Sequence, residues 1–332
     1  MPDPINQKDY EMKRLLFLMS ASLPSVAGPT FAQDAKLPAP AISETLTIPR
    51  KSVDVLASNM SYLEQGQGAP VVFLHGNPTS AYLWRNVIPY VSDTNRAIAP
   101  DLIGMGHSGK PDIGYTYADQ YAYLEAFLDA LDLKDITFVA HDWGAALAWD
   151  YARRHPKRVK QIAFMEGVLP PAFPVADLAS MGETGDALRV MRDPEQGRQM
   201  IIEGNMFVEQ MLPGFVNRTL GEEAMTEYRS PFLNKEDRAP TLQWPRELPI
   251  EGVPEDTTAI MEAVSRFMQS TRMPTLFLYA DPGVVGPPEL ADWYATHLKN
   301  NETAYVGQGF HFIQEDHPDA IGRAVSDWMR RH

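Results

Sequence analysis

The hexapeptide Val139-Ala140-His141-Asp142-Trp143-Gly144 puts a carboxylate where a nucleophile could stand. It follows the short apolar run Ile136-Thr137-Phe138 and leads into Ala145-Ala146-Leu147-Ala148-Trp149, which reads as a helix. A strand, a sharp turn and a helix are the setting of the nucleophile elbow G-x-S-x-G, here with Ala140 for the first glycine and Asp142 for the serine. A serine needs a base before it attacks, whereas an aspartate, with a reference pKa near ~3.9, is already ionised at neutral pH. It can strike an sp3 carbon directly and leave an ester on the protein. The plainer reading makes Asp142 a helix N-cap.

An aspartyl ester has to be hydrolysed, which requires an activated water. His311, after Gly309-Phe310, is the natural base, because the reference pKa of histidine, ~6.5, lies near operating pH. A carboxylate behind it would hold the tautomer and stabilise the imidazolium, and both Glu166 and Asp281 follow strands in suitable places. Backbone N–H groups of Asn77 and Trp143 are candidates for holding the tetrahedral oxyanion. Their side chains, an amide NH2 and an indole N–H, are neutral donors flanking the reacting groups. Two such donors in an apolar pocket suit a halide, which gains charge as it departs where water is excluded. The alternatives are a packing aromatic for Trp143 and a turn residue before Pro78 for Asn77.

The elements that would position these groups alternate. Thr45–Ile48 and Val53–Leu56 suggest an opening antiparallel hairpin, with Met60–Glu64 as a third strand. Buried strands follow at Pro70–His75, Arg96–Pro100, Ile136–Ala140, Val159–Glu166, Pro274–Ala280 and Glu302–Val306, and apolar spacing marks a helix over 118–131. A C-terminal helix carries Ile321, Val325 and Trp328. From about 167 to 254 the pattern is helical, rich in Met and Pro, with no convincing strand. Strands alternating with helices imply a mostly parallel sheet wrapped on both faces, with ligands at the carboxyl ends of the strands. The expected organisation is a core of residues 43–166 and 255–332 and a helical cap of 167–254. The glycine-rich loop Asp101–Ser108 lacks the Lys-Ser or Lys-Thr of a phosphate-binding loop.

Composition narrows the partners. The net charge of −14 argues against nucleic acid and anionic membrane surfaces. With no cysteine, disulfides, thiolate metal sites and cysteine nucleophiles are excluded. Lys13-Arg14, the apolar run Leu15–Met19 and the small-x-small run Thr30-Phe31-Ala32 read as a signal peptide over 1–32, with Met12 a possible true start. Residues 33–42 read as a linker. A periplasmic or secreted protein is expected, with a cytoplasmic one as the alternative. No metal or organic cofactor is required by this chemistry.

With these residues in hand the chain resembles the haloalkane dehalogenases of the α/β-hydrolase superfamily, over roughly residues 45–330. The likeness is carried by His75-Gly76-Asn77-Pro78-Thr79-Ser80, Asp101–Gly106, His141-Asp142-Trp143-Gly144, Met165-Glu166, Asn205–Glu209, Arg238–Arg246 and His311-Phe312-Ile313-Gln314-Glu315-Asp316. The resemblance implies an α/β-hydrolase fold with Asp142 as nucleophile, His311 as base and Glu166 rather than Asp281 as its acid. It implies Asn77 and Trp143 as halide donors, Phe207, Pro245 and Leu248 as pocket walls, and a small apolar halogenated substrate. Lid packing at Phe207, Phe215, Leu248 and Val285 would set chain-length preference. His75, His107 and His141 are expected to be structural and hydrogen-bonded near the sheet edge, and His317 a surface or cap residue.

Three rival functions share much of this pattern. Epoxide hydrolases need cap tyrosines, usually two, to protonate the epoxide oxygen, and 167–254 holds only Tyr228. Fluoroacetate dehalogenases would want an arginine where Trp143 stands. Coelenterazine-type luciferases look similar across nearly the whole chain and share the triad. A non-catalytic ligand-binding relative is opposed by the intact Asp142, Glu166 and His311.

Overall fold

A computed structural model of the chain describes residues 41–332. The expected signal peptide, and all of the expected linker but its last two residues, lie outside the described residues. The frame is an eight-stranded sheet in the order β1-β2-β4-β3-β5-β6-β7-β8. Its strands are β1 (Arg50–Val55), β2 (Ser58–Gln65), β3 (Pro70–Leu74), β4 (Arg96–Pro100), β5 (Ile136–His141), β6 (Val159–Met165), β7 (Thr275–Pro282) and β8 (Asn301–Gly309). β1 and β2 pair antiparallel, β2 joins β4 antiparallel, and every other pairing is parallel.

The central strands are apolar because both faces are covered. All six residues of β5 are buried, as are five of the seven in β6 that run unbroken to its end. Helices of eight or more residues are α1 (Tyr117–Ala130), α2 (Trp143–Arg154), α3 (Gly182–Arg192), α4 (Glu222–Arg229), α5 (Ala239–Glu247), α6 (Glu255–Ser270), α7 (Glu289–His297) and α8 (Pro318–Arg331). α1 starts at a capping box in which the Thr116 and Asp119 side chains serve each other's backbone N–H. α8 buries Ile321, Val325 and Trp328 against the sheet, as its spacing predicts. Residues 167–254 hold α3, α4, α5 and shorter helical turns, and contribute no strand to the sheet among the described residues.

The expected opening hairpin is wrong in one strand. β1 pairs with β2, not with Thr45–Ile48, which is irregular. The chain just before this stretch is tied to the core by side chains instead of a ladder. The Ser43 carbonyl accepts from Arg85 Nε at 2.8 Å and Asn86 Nδ2 at 2.8 Å, and the Glu44 carbonyl accepts from the Tyr82 hydroxyl. The alternation that suggested a strand reflects Ile48, which is buried in the core, and Leu46, which packs against it.

One buried ionic cluster ties the segments together. Arg85 donates to both carboxylate oxygens of Glu315, at 2.6 and 2.9 Å, and the Tyr228 hydroxyl of α4 donates to the same group. Arg218 adds a third donor at 2.7 Å. Burial alone would raise the Glu315 pKa, but the Arg85 hydrogen bonds and charge outweigh it and hold the carboxyl below its ordinary value. Because the folded value is depressed, this stabilisation is full above the unfolded value of 4.5 and is lost as pH falls below it. Replacing Arg85 with Met removes the buried cation that meets both Glu315 oxygens and leaves the carboxylate to Arg218 and Tyr228 alone. That change should cost roughly 3–5 kcal/mol of stability, read from the shift in urea denaturation at pH 7.

Candidate active site

The site begins at the bend between β5 and α2. Asp142 adopts φ +51°, ψ −127°, a conformation that L-residues rarely occupy and that costs of order 1–3 kcal/mol. The bend survives because its surroundings permit no other path. A Cβ on Gly144 would lie 2.5 Å from the His75 carbonyl oxygen, so only glycine lets α2 pack this close to the end of β3. A Cβ on Gly76 would lie 2.1 Å from Asp142 Oδ2. The loop after β3 therefore passes directly alongside the carboxylate, and the next N–H, that of Asn77, donates to Oδ2 at 2.8 Å. The backbone N–H of Trp143 also serves the carboxylate.

This geometry does not match an N-cap. A capping side chain accepts from the second or third residue of its helix. Asp142 makes no such bond and is held instead by Asn77, from a separate strand end, and by its own neighbour Trp143. The group is 6% exposed. Burial raises its pKa, opposed by the charge of His311 and by the two N–H groups.

His311 sits between β8 and a short helical turn, Ile313–Asp316. Its Nε2 lies 3.8 Å from Asp142 Oδ1, beyond a hydrogen bond. That spacing suits a water ~2.8 Å from each atom. Its Nδ1 lies 3.1 Å from Glu166 Oε2. A carboxylate only accepts, so Nδ1 carries the proton and the Nε2 lone pair faces Asp142, the tautomer a base requires. Glu166 follows β6 at φ +46° and is fully buried. Three backbone N–H groups of the loop after β7 converge on it: Val284 at 3.0 Å, Val285 at 2.7 Å and Gly286 at 3.0 Å. Asp281 is exposed, and no bond to His311 is among its interactions. Of the two acids open in the sequence, the fold brings Glu166 to His311.

The remaining predicted residues are distributed as follows. Asn77 is 8% exposed, with its side-chain Nδ2 3.5 Å from the Thr241 carbonyl and its Oδ1 buried without a partner. The Trp143 ring stacks on Trp244 at 4.7 Å and meets Tyr117 at 5.9 Å. These contacts lay part of α5 against the two donor residues. Leu248 belongs to the main core cluster, with Phe215 and Val285 packed against it. Pro245 is buried inside α5. Phe207 packs in a separate small cluster with Ile201 and Met206, beside Leu242.

The histidines divide. His75 accepts from Leu102 N–H at 2.9 Å and pairs with the Gly76 carbonyl at 2.9 Å, and burial lowers its pKa, a structural role as expected. His107 does not fit the expectation, since its side chain is exposed on the loop after β4. His317 heads α8, with Nε2 2.6 Å from the Gln308 carbonyl. His141 does more than fill space. Its Nε2 donates to the His311 carbonyl at 2.9 Å and its ring lies 4.6 Å from that of His311. Burial first, then the neighbouring His311, push its pKa well below 6.5 and keep it neutral. Sequence reasoning missed this contact and those of Trp244 and Phe215, because no local pattern records a partner about a hundred or more residues away.

An elbow acid, a later histidine and a buried carboxylate on a mostly parallel sheet define a protein of the α/β-hydrolase fold. The family model described as alpha/beta hydrolase fold matches residues 69–318. A haloalkane dehalogenase of Mesorhizobium japonicum is 45% identical over 285 residues, 85% of this chain and 92% of the relative. One from Sphingobium indicum (strain UT26) is 42% identical over 288 residues, 85% and 95% of the two chains. The crystal structure of haloalkane dehalogenase DbeA from Bradyrhizobium elkani superposes with a TM-score of 0.82 at 44% identity, over 86% of this chain and 98% of that one. The chain belongs to the haloalkane dehalogenase family.

The loop N–H groups around Glu166 cannot all be satisfied by an amide, and a glutamine there would favour the wrong His311 tautomer. Glu166→Gln should lower kcat by roughly 10²–10⁴-fold, while Asp281→Asn leaves turnover close to that of the parent. Steady-state kinetics of the two variants decides it, and the reverse order would move the acid.

Proposed function

We propose that this protein hydrolyses small apolar haloalkanes to a primary alcohol, a halide ion and a proton. The carrying observation is the division of labour at Asp142: Oδ2 is held by the Asn77 N–H while Oδ1 faces His311. Oδ1 attacks the carbon bearing the halogen, a C–O bond forms, and the carbon–halogen electron pair leaves with the halide. The Asn77 amide and the Trp143 indole donate to the departing anion, in surroundings dry enough for the interaction to be strong. Oδ2 is then the ester carbonyl oxygen. A water gives its proton to His311 Nε2 and attacks the ester carbon; the developing charge falls on Oδ2, where the Asn77 N–H already waits. One such donor is worth roughly 10²–10³ in rate. Glu166 stabilises the imidazolium. Collapse releases the alcohol, protonated by His311, and leaves Asp142 as the carboxylic acid, which gives up its proton to solvent to restore the carboxylate. The balance needs water alone, and no cofactor.

The raised Asp142 pKa is consistent with a nucleophile poorly solvated before attack, since burial is its largest cause. Residues 167–254 act as the cap in this reading, with Phe207, Phe215, Pro245, Leu248 and Val285 bounding the substrate pocket. Epoxide opening is disfavoured by Tyr228, the single tyrosine of that segment, which is buried with its hydroxyl on Glu315. Among the described residues no helix is long and apolar enough to cross a membrane. Lys13-Arg14, Leu15–Met19 and Thr30–Ala32 support export with cleavage after Ala32; mass spectrometry of the protein's N-terminus from a periplasmic extract tests it.

Bromide release from 1-bromobutane or 1,2-dibromoethane tests the activity, with coelenterazine light emission as the parallel control. His311→Phe should still release halide once and then stop, with the enzyme's mass increased by one alkyl group. Absence of that increment after exposure to substrate would remove the covalent mechanism. Asp142→Asn should show near-zero initial turnover, with intact-mass measurement to detect hydrolysis of the amide back to Asp.

A further inference from the structure

The motif that begins at His311 ends in Glu315-Asp316, and the mechanism above uses neither acid. Both grip the same short piece of the cap, residues 215–218. The Phe215 carbonyl accepts from the backbone N–H of His311 and of Phe312, each at 3.2 Å. Asp316 accepts from the backbone N–H of Asn217 at 2.9 Å and of Arg218 at 2.8 Å, one on each carboxylate oxygen. Arg218 Nε donates to the Glu315 carbonyl at 2.6 Å and its Nη2 to the Glu315 carboxylate at 2.7 Å. The turn that carries His311 is thus bonded along its length to a cap segment whose first residue is a proposed pocket wall.

We infer that Asp316 and Arg218 are positioning residues that clamp the His311 turn to the cap, and that they serve ester hydrolysis rather than alkylation. The inference rests on the dehalogenase reading for its second half. Alkylation engages Asp142, Asn77 and Trp143, which stand at the ends of β3 and β5 and make none of the clamp's hydrogen bonds. His311 enters only when water attacks, and there a misplacement of ~1 Å can cost about 100-fold. Loosening the clamp moves the base and leaves the nucleophile in place. The same bonds make Phe215 a shared element, so a substrate that displaces this wall also displaces the base.

Asp316 is the residue to change. Glu315 is unsuitable, because its loss strands the buried Arg85 guanidinium and would mix a loss of stability into the kinetics. Asp316→Ala removes both acceptors from the 217–218 N–H groups, Asp316→Asn keeps an amide oxygen that can accept them, and Arg218→Gln cuts the tie to Glu315. Three readouts are taken with 1-bromobutane: single-turnover bromide release, steady-state turnover, and the alkyl-enzyme adduct by intact mass. Amide hydrogen exchange over 309–317 is measured without substrate. For Asp316→Ala and Arg218→Gln we expect an unchanged single-turnover bromide rate, steady-state turnover lower by roughly tenfold, an accumulating adduct and faster exchange in the turn. Asp316→Asn should recover most of each. A parallel fall of both rates with no adduct overturns the inference, as does wild-type behaviour in all readouts. If the parent enzyme releases no bromide, the dehalogenase reading fails; the clamp then stands on faster exchange and falls on unchanged exchange.

Discussion

Everything at the site depends on one buried carboxylate being held by main-chain N–H groups at a strained bend. Asp142 could not stay where it is if its charge had to be satisfied by flexible side chains, because water-free surroundings penalise an unpaired anion severely. The Asn77 N–H comes from a different strand end, and it approaches only because Gly76 has no side chain to interpose. The bend, the glycine and the parallel pairing of β3 with β5 are thus parts of a single arrangement. The backbone holds one oxygen, and the other is left facing His311.

His311 is placed by a second set of contacts, through a carboxylate that main-chain N–H groups hold. Glu166 takes three N–H groups from the loop after β7 and presents its remaining capacity to His311. His141, kept neutral by burial, donates to the His311 carbonyl from the other side. These contacts come from β5, β6 and the turn after β7, so the orientation of one imidazole draws on most of the parallel half of the sheet. The positive φ at Asp142 and Glu166 occurs at the two places where a strand delivers an acid to this network.

The segment between β6 and α6 is joined to the core by polar bonds as well as by apolar packing. Arg85, Tyr228 and Arg218 meet on Glu315, and Glu44, near the start of the described chain, accepts the Gly221 N–H at 2.7 Å just before α4. Buried ion pairs add little net stability compared with apolar packing, but they are demanding in geometry. They define where this segment sits, and Trp244 against Trp143 carries that placement to the start of α2 beside Asp142.

The alternating architecture, the bend at Asp142 and the histidine that the fold sets beside it were legible in the chain alone. Each rests on local rules: apolar runs for buried strands, spacing for α1 and α8, and an acid between a strand and a small-residue helix. The sequence left Glu166 and Asp281 open as partners of His311, because both follow strands and spacing along the chain says nothing of distance across a sheet. Only the tertiary structure separated them, by turning Asp281 to solvent and burying Glu166 among loop N–H groups. It also removed the strand expected at Thr45–Ile48, whose alternating pattern arose from packing, while Arg85, Asn86 and Tyr82 hold the carbonyls of Ser43 and Glu44 just before it. The contacts of His141, Trp244 and Phe215 follow the same logic. A side chain's role as a support is a matter of which long-range partner the fold brings within hydrogen-bond reach, and that information is absent from any local stretch of chain.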